Sequence, residues 1–153
     1  MSYRIIQLVG TVIFIIPAHG YEGPLRLWRV TRNEAWFCTA LIAIGALFCW
    51  WARIYLGSLW SGTITKKNNH HIVDTGPYAI VRHPIYTGLL LAVFVTAIAK
   101  GTILGLIGLV LIVAAFWRKA YLEEQWLSEQ LGADNYEAYR QRVSMLIPFG
   151  PRG

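Results

Sequence analysis

The sequence predicts an all-α, polytopic membrane protein: about four transmembrane helices, a tight hairpin between the third and fourth, and a cytosolic helical segment at the C-terminus. Three observations predict it. Hydrophobic residues make up 56% of the 153 and charged residues only 14%, more apolar surface than a soluble domain of this size can hide. Four apolar runs, 5–18, 35–52, 85–99 and 102–117, recur along the chain. Aromatic residues gather at the run ends, among them Tyr3, Trp28, Trp36, Trp50, Trp51, Tyr55, Trp60, Tyr86, Trp117 and Tyr121, and amphipathic rings favour the headgroup layer.

Each run falls short of the ~20 residues that span a bilayer core, so semi-polar flanks must lengthen it. The first follows Arg4 and ends in Pro17-Ala18-His19-Gly20. A cleavable signal would look similar, but the cleavage pattern is poor and further spans follow, so it reads as a span. The second holds Cys38 and Cys49, which a helix separates by ~16 Å at 1.5 Å per residue, too far for a disulfide. Arg53 ends this span, and the aromatic residues around it suggest a helix running on along the interface to about Ser61.

The loop 63–75 carries Lys66, Lys67, Asn68, Asn69, His70 and His71, with no ligand spacing that points to a metal. Ile72 and Val73 then read as extended, Gly76-Pro77 as a turn, and Pro84 as the first turn of the third helix, holding His83 away from helical angles. Only Lys100-Gly101 separates the third and fourth runs, enough for a helix hairpin. Gly101, Gly105 and Gly108 suit close helix packing better than phosphate binding, since no strand precedes them. Residues 118–131 read as a helix leaving the membrane, in which Lys119 and Glu123 suit an ordinary i,i+4 ion pair. Gly132 closes it, and 135–143 form a further short helix. No repeat or linker divides the chain, so 1–153 reads as one domain.

Four spans place ten basic residues (Arg4, Arg53, Lys66, Lys67, Arg82, Arg118, Lys119, Arg140, Arg142 and Arg152) on one side and four (Arg26, Arg29, Arg32 and Lys100) on the other. The positive-inside rule then puts both termini and the 63–75 loop in the cytoplasm. The net charge of +6 reflects this bias and contact with anionic headgroups; no nucleic-acid-binding fold accompanies it.

The informative stretch is Gly76-Pro77-Tyr78-Ala79-Ile80-Val81-Arg82-His83-Pro84-Ile85-Tyr86-Thr87-Gly88, answered in the next hydrophilic segment by Glu123-Glu124. Ionisable groups this close to apolar runs are costly, which makes Arg82, His83, Lys119, Glu123 and Glu124 a functional-site expectation. Irregular backbone there is tolerated where it lines a cavity.

The pattern Gly-Pro-Tyr-x-x-x-Arg-His-Pro-x-Tyr-x-Gly, the later Glu-Glu, then Gly-x-x-x-Tyr-x-x-Tyr-x-x-Arg-Val and a terminal Pro-Phe resembles the isoprenylcysteine carboxyl methyltransferases and their phospholipid methyltransferase relatives. The resemblance covers about 50–149, the expected cofactor-binding half. It implies an integral membrane enzyme that moves a methyl group from S-adenosylmethionine to a lipophilic acceptor arriving from the bilayer: a prenylcysteine-like carboxylate, a lipid amine or a small thiol. It further implies that His70, His71, Ile72, Val73, Tyr78, His83, Pro84, Ile85 and Tyr86 wrap the cofactor and that Glu123 contacts it. Lys119 would approach the substrate, on whose side Arg53 is also expected. Lys119 stands where the family favours arginine, a point charge in place of a planar fork. S-adenosylmethionine carries an ammonium, a carboxylate, a sulfonium and an adenine, so Glu123 or Glu124 suits the ammonium, Arg82 or His83 the carboxylate, and Tyr78 or Tyr86 the ring or sulfonium. Glu124 or His83 would serve as base for an amine or thiol acceptor. An NADPH-dependent reductase related to sterol reductases, or a non-catalytic protein of the same fold, are the alternatives.

Overall fold

The structure, a computed structural model, describes residues 2–15, 25–57 and 72–152. The expectations for His70, His71, the loop around them and the helix continuing to Ser61 lie outside these residues. Among the described residues every extended element is an α-helix: α1 Ser2–Ile15, α2 Arg32–Leu56, α3 Pro84–Lys100, α4 Ile103–Leu131 and α5 Ala133–Arg142. A 3-10 turn, Gly76–Ala79, precedes α3, and two isolated β-bridges join extended segments. The all-α expectation is met. The Arg32–Leu56 helix and residues Ile103–Gln130 of α4 are long and apolar enough to cross a membrane, while α1 and α3 are shorter apolar helices.

Local chemistry explains the boundaries. A capping box starts α2: the Thr31 amide donates to Glu34 Oε2 at 2.6 Å, and the Glu34 amide donates back to Thr31 Oγ1 at 3.4 Å. Pro84 opens α3, where its missing N–H costs nothing. No Gly or Pro interrupts residues 109–131, so the expected fourth span and exit helix are one helix of 29 residues. Gly132, at φ 90°, separates it from α5.

The chain forms two compact units, and α2, α3 and α4 each contribute to both. The first comprises 1–46 and 89–118. Here Gly10 and Gly108 let α1 and α4 touch at backbone distance: a Cβ on Gly10 would meet Leu111 Cβ at 2.8 Å, and one on Gly108 would meet Phe14 Cβ at 2.8 Å. The α3–α4 connection is braced by residues 25–28. Leu27 donates to the Gly101 carbonyl at 2.7 Å, Ile103 donates to Leu25 at 3.0 Å, and the Trp28 indole donates to Ile98 at 2.8 Å. Lys100 turns its ammonium to the Phe14 carbonyl and ring.

The second unit comprises 47–88 and 119–153. Tyr136, Tyr139 and Val143 form its buried cluster, against which Ile72 and Leu127 pack. Cys49 Sγ approaches the Ile85 carbonyl at 3.3 Å, fastening the end of α2 to the start of α3.

Gly101 has φ 59°, and an added Cβ would lie 2.4 Å from the Trp28 carbonyl oxygen. Gly101→Ala is therefore expected to destabilise the protein by more than about 1 kcal/mol, read as a lower melting temperature in lipid nanodiscs.

Candidate functional site

The site is built within the second unit, where three short stretches of chain meet. Residues 81–83 lie outside helix ahead of α3, with a bend at Arg82, because Pro84 disfavours helical angles at His83. Their backbone would lack partners there, and residues 144–146 supply them. Val81 and Ser144 form a parallel bridge, Arg82 N donates to the Ser144 carbonyl at 2.8 Å, and His83 N donates to the Met145 carbonyl at 3.1 Å. Thr87 Oγ1 then donates to the Leu146 carbonyl at 2.7 Å. Residues 143–146 act as a strap across the entrance to α3.

Beneath the strap lies the Arg82 side chain, 2% exposed, paired with the Glu124 carboxylate of α4, 6% exposed. The pairing is a fork: Nε donates to Oε1 at 2.7 Å and Nη2 to Oε2 at 3.1 Å. Nη1 donates to the carbonyls of Arg140, at 2.9 Å, and Val143. The guanidinium thus ties α4, the end of α5 and the strap to the start of α3. Arg140 Nε adds a second positive charge 3.6 Å from Glu124 Oε2.

His83 stands between the two glutamates. Its Nε2 lies 3.1 Å from Glu124 Oε1, and its Nδ1 lies 3.6 Å from Glu123 Oε2. Its ring stacks on Tyr86, with centroids 5.3 Å apart and planes 3° from parallel. The Tyr86 hydroxyl is 2.7 Å from both oxygens of Glu123. Lys119 does not form the ordinary helical ion pair with Glu123; its ammonium sits 4.9 Å over the Tyr86 ring. Neighbouring glutamates on α4 therefore differ. Glu124 is sealed against cations, while Glu123, 18% exposed, keeps access to solvent beside a phenol, an imidazole and an ammonium.

The other expected residues fall around this cluster. Tyr78 is buried, and its carbonyl accepts the Tyr139 hydroxyl at 2.7 Å. Burial, reinforced by the Glu123 charge, pushes the Tyr78 phenol above its ordinary value of 10.0. Ile72 packs on the α5 cluster, Val73 is half-buried, Pro84 is fully buried, and Ile85 is half-buried beside Cys49. Arg53 is exposed, and its Nη1 donates to the Gly57 carbonyl at 2.8 Å. Tyr136 and Tyr139 enter the sequence reading only within the quoted motif and Arg140 only as a basic residue of one membrane side; none of them, nor the strap, was expected in the site. The signal was present in the Tyr-x-x-Tyr spacing, which puts Tyr136 and Tyr139 on one face of α5.

Apolar helices joined to a polar cluster of paired glutamates, arginine, histidine and tyrosine at a helix entrance define a membrane-associated protein with an enzyme-like site. The chain belongs to the phospholipid methyltransferase family, whose match covers residues 33–134. It is 24% identical over 149 residues to protein-S-isoprenylcysteine O-methyltransferase B of Arabidopsis thaliana, covering 96% of this chain and 74% of that protein. It is 29% identical over 102 residues to protein-S-isoprenylcysteine O-methyltransferase of Schizosaccharomyces pombe, covering 65% of this chain and 43% of that one. A probable protein-S-isoprenylcysteine O-methyltransferase of Oryza sativa subsp. indica is 25% identical over 123 residues, covering 76% and 64%. The chain thus spans less than half of the yeast relative and under two thirds of the rice one.

Removing one partner of a buried ion pair leaves the other charge uncompensated. Glu124→Ala is expected to cost ~3 to 5 kcal/mol, lowering the melting temperature sharply, whereas Glu123→Gln, at a half-buried carboxylate, changes it little. A pH dependence follows from Tyr78, Tyr136 and Tyr139, all raised above 10.0, chiefly by burial. Their neutral forms are favoured by folding, so this stability is fully present below 10.0 and lost as pH climbs toward the higher folded values. Melting temperature should therefore fall above pH 10.0, and less steeply in Tyr139→Phe.

Proposed function

We propose that this chain is an integral membrane methyltransferase that uses S-adenosylmethionine and a lipophilic acceptor drawn from the bilayer. The single observation that carries the reading is the divided glutamate pair: Glu124 locked beneath the strap, and Glu123 held at the surface of the cluster by Tyr86. The donor set fits the cofactor. Glu123 supplies a carboxylate for an ammonium, the stacked His83 and Tyr86 rings an aromatic surface for a sulfonium or adenine, and the His83 imidazole a donor for a carboxylate. When bound, S-adenosylmethionine supplies an electrophilic methyl group.

The residues of the chain then have separate tasks. Glu123, Tyr86 and His83 bind and orient, with Ile72, Val73, Tyr78, Pro84 and Ile85 shaping the surroundings. Arg82 and Glu124, expected from the sequence to touch the cofactor or act as base, serve instead as positioning residues, since the Arg82 donors already meet Glu124 and two carbonyls. Methyl transfer is an in-line displacement that rewards fixed geometry and exclusion of water. A carboxylate acceptor is ionised near neutral pH and needs no base, and Lys119 stands where its charge holds such a group. The four-span arrangement, with both termini and the cofactor site facing the cytoplasm, completes the reading. The names of the relatives favour methyl transfer over NADPH-dependent reduction.

The test is binding and turnover. Purified protein should bind radiolabelled S-adenosylmethionine and not NADPH, and should transfer the label to a farnesylcysteine analogue or a lipophilic amine. Glu123→Ala should weaken cofactor binding by ~1.5 to 3 kcal/mol through loss of a charge-assisted hydrogen bond, with the fold intact by melting temperature. Unchanged affinity in a folded variant removes Glu123 from the site.

A further inference from the structure

The strap ends in a turn whose side chains face outward. Ile147 is 64% exposed and Phe149 is 90% exposed, on either side of Pro148. The turn is built: Gly150 N donates to the Ile147 carbonyl at 3.0 Å, and Ser144 Oγ donates to the Gly150 carbonyl at 2.8 Å. Phe149 is the one non-glycine residue with positive φ, 60°, among the described residues. Such a conformation persists only where its surroundings enforce it, and here it projects a phenyl ring away from the protein.

Two contacts set the depth of this turn. Along α3, Ile85 meets Cys49 of α2 at 3.3 Å and Thr87 meets Leu146 of the strap at 2.7 Å. Two residues of helix rise only ~3 Å, so the strap reaches α3 at nearly the depth where α2 carries Trp50 and Trp51. Trp50 is 65% exposed and Trp51 39%, as rings at a headgroup boundary are. We propose that the Ile147-Pro148-Phe149 turn is inserted into the headgroup–acyl boundary of the bilayer, level with that tryptophan pair. Its backbone suits the boundary: Pro148 has no N–H, and the carbonyls of Ile147 and Gly150 already accept hydrogen bonds. Exposed Arg152 follows at once and pairs with lipid phosphates while the apolar tip lies deeper. A second copy of the chain fits less well, because three residues cannot supply the ~800 Å² per partner of a stable interface. The strap that orders Arg82 and His83 is thereby anchored to the membrane that would deliver the acceptor. The proposal rests on the membrane part of the functional reading and not on methyl transfer.

The test uses the 153-residue chain with Cys38→Ala and Cys49→Ser, in nanodiscs of phosphatidylcholine and phosphatidylglycerol. A nitroxide is attached in turn to Phe149→Cys, Ile147→Cys and Ile44→Cys, the last on an exposed apolar position of α2. Electron paramagnetic resonance then compares relaxation by oxygen, which concentrates in lipid, with relaxation by a water-soluble nickel chelate. Labels at 149 and 147 should be relaxed more by oxygen than by the chelate, by a smaller ratio than at 44, which lies ~9 Å further along α2 from the tryptophan pair. Dominance of the nickel chelate at 149 and 147, with 44 still in lipid, overturns the inserted turn alone; its dominance at 44 as well overturns the membrane reading with it. Labels at 149 shielded from both agents and broadened by spin–spin coupling show a second copy on the turn, and also overturn the proposal. Two label positions guard against one that disturbs the turn.

Discussion

The buried Arg82–Glu124 pair is the interaction on which the second unit depends. Withdrawing two charges from water costs several kcal/mol per ion, and attraction offsets this only where geometry is good and the remaining donors and acceptors are satisfied. Arg82 meets both conditions by its fork on Glu124 and its bonds to the carbonyls of Arg140 and Val143. Lysine could not replace it, since one ammonium cannot present two parallel donors to a carboxylate and a third to the carbonyls. The pair therefore dictates where α4, the end of α5 and the strap must lie around the start of α3.

From that constraint the difference between the two glutamates follows. Adjacent residues on a helix point ~100° apart, so once Glu124 faces the guanidinium, Glu123 must face another direction. It turns toward the first turn of α3, where Tyr86, three residues beyond His83, donates to it at 2.7 Å. His83 touches both carboxylates and stacks on Tyr86, so the buried pair and the accessible glutamate are mechanically joined through one imidazole. A disturbance of the first displaces the second.

Much of the fold was legible in the sequence for clear physical reasons. Apolar runs mark helices, each tolerating an internal glycine (Gly10, Gly45, Gly88, Gly105 and Gly108), while Pro84 fixed the start of α3 and Lys100-Gly101 fixed the hairpin turn. The continuity of α4 through residue 117 was less visible, because a fall in hydropathy marks a change of surroundings and not the end of hydrogen bonding. The Thr31-x-x-Glu34 capping box that starts α2 is visible in residue type alone. At the site, the motif at 76–88 and the later Glu123-Glu124 pointed to Arg82, His83, Tyr86, Glu123 and Glu124, which lie side by side in the structure, but they could not say that Arg82 would point at Glu124. That depends on the carbonyls of residues 140 and 143, and backbone acceptors leave no trace in residue type. Lys119 makes the same point: four residues from Glu123, it reads as an ion pair, yet the Tyr86 ring from another helix claims its ammonium.

The strap shows why such a site needs a C-terminal segment. Proline at position 84 prevents helix formation through His83, which leaves the amides of Arg82 and His83 outside any helical ladder. Unpaired amides there would cost as much as lost hydrogen bonds, so some other extended chain must run alongside. Residues 144 and 145 do so in parallel, and their register is set by the Nη1 bonds of Arg82 on one side and the Thr87–Leu146 bond on the other. The proline that shapes the cluster thus makes a second segment obligatory, and the same hydrogen bonds that satisfy the backbone hold the buried charges in place.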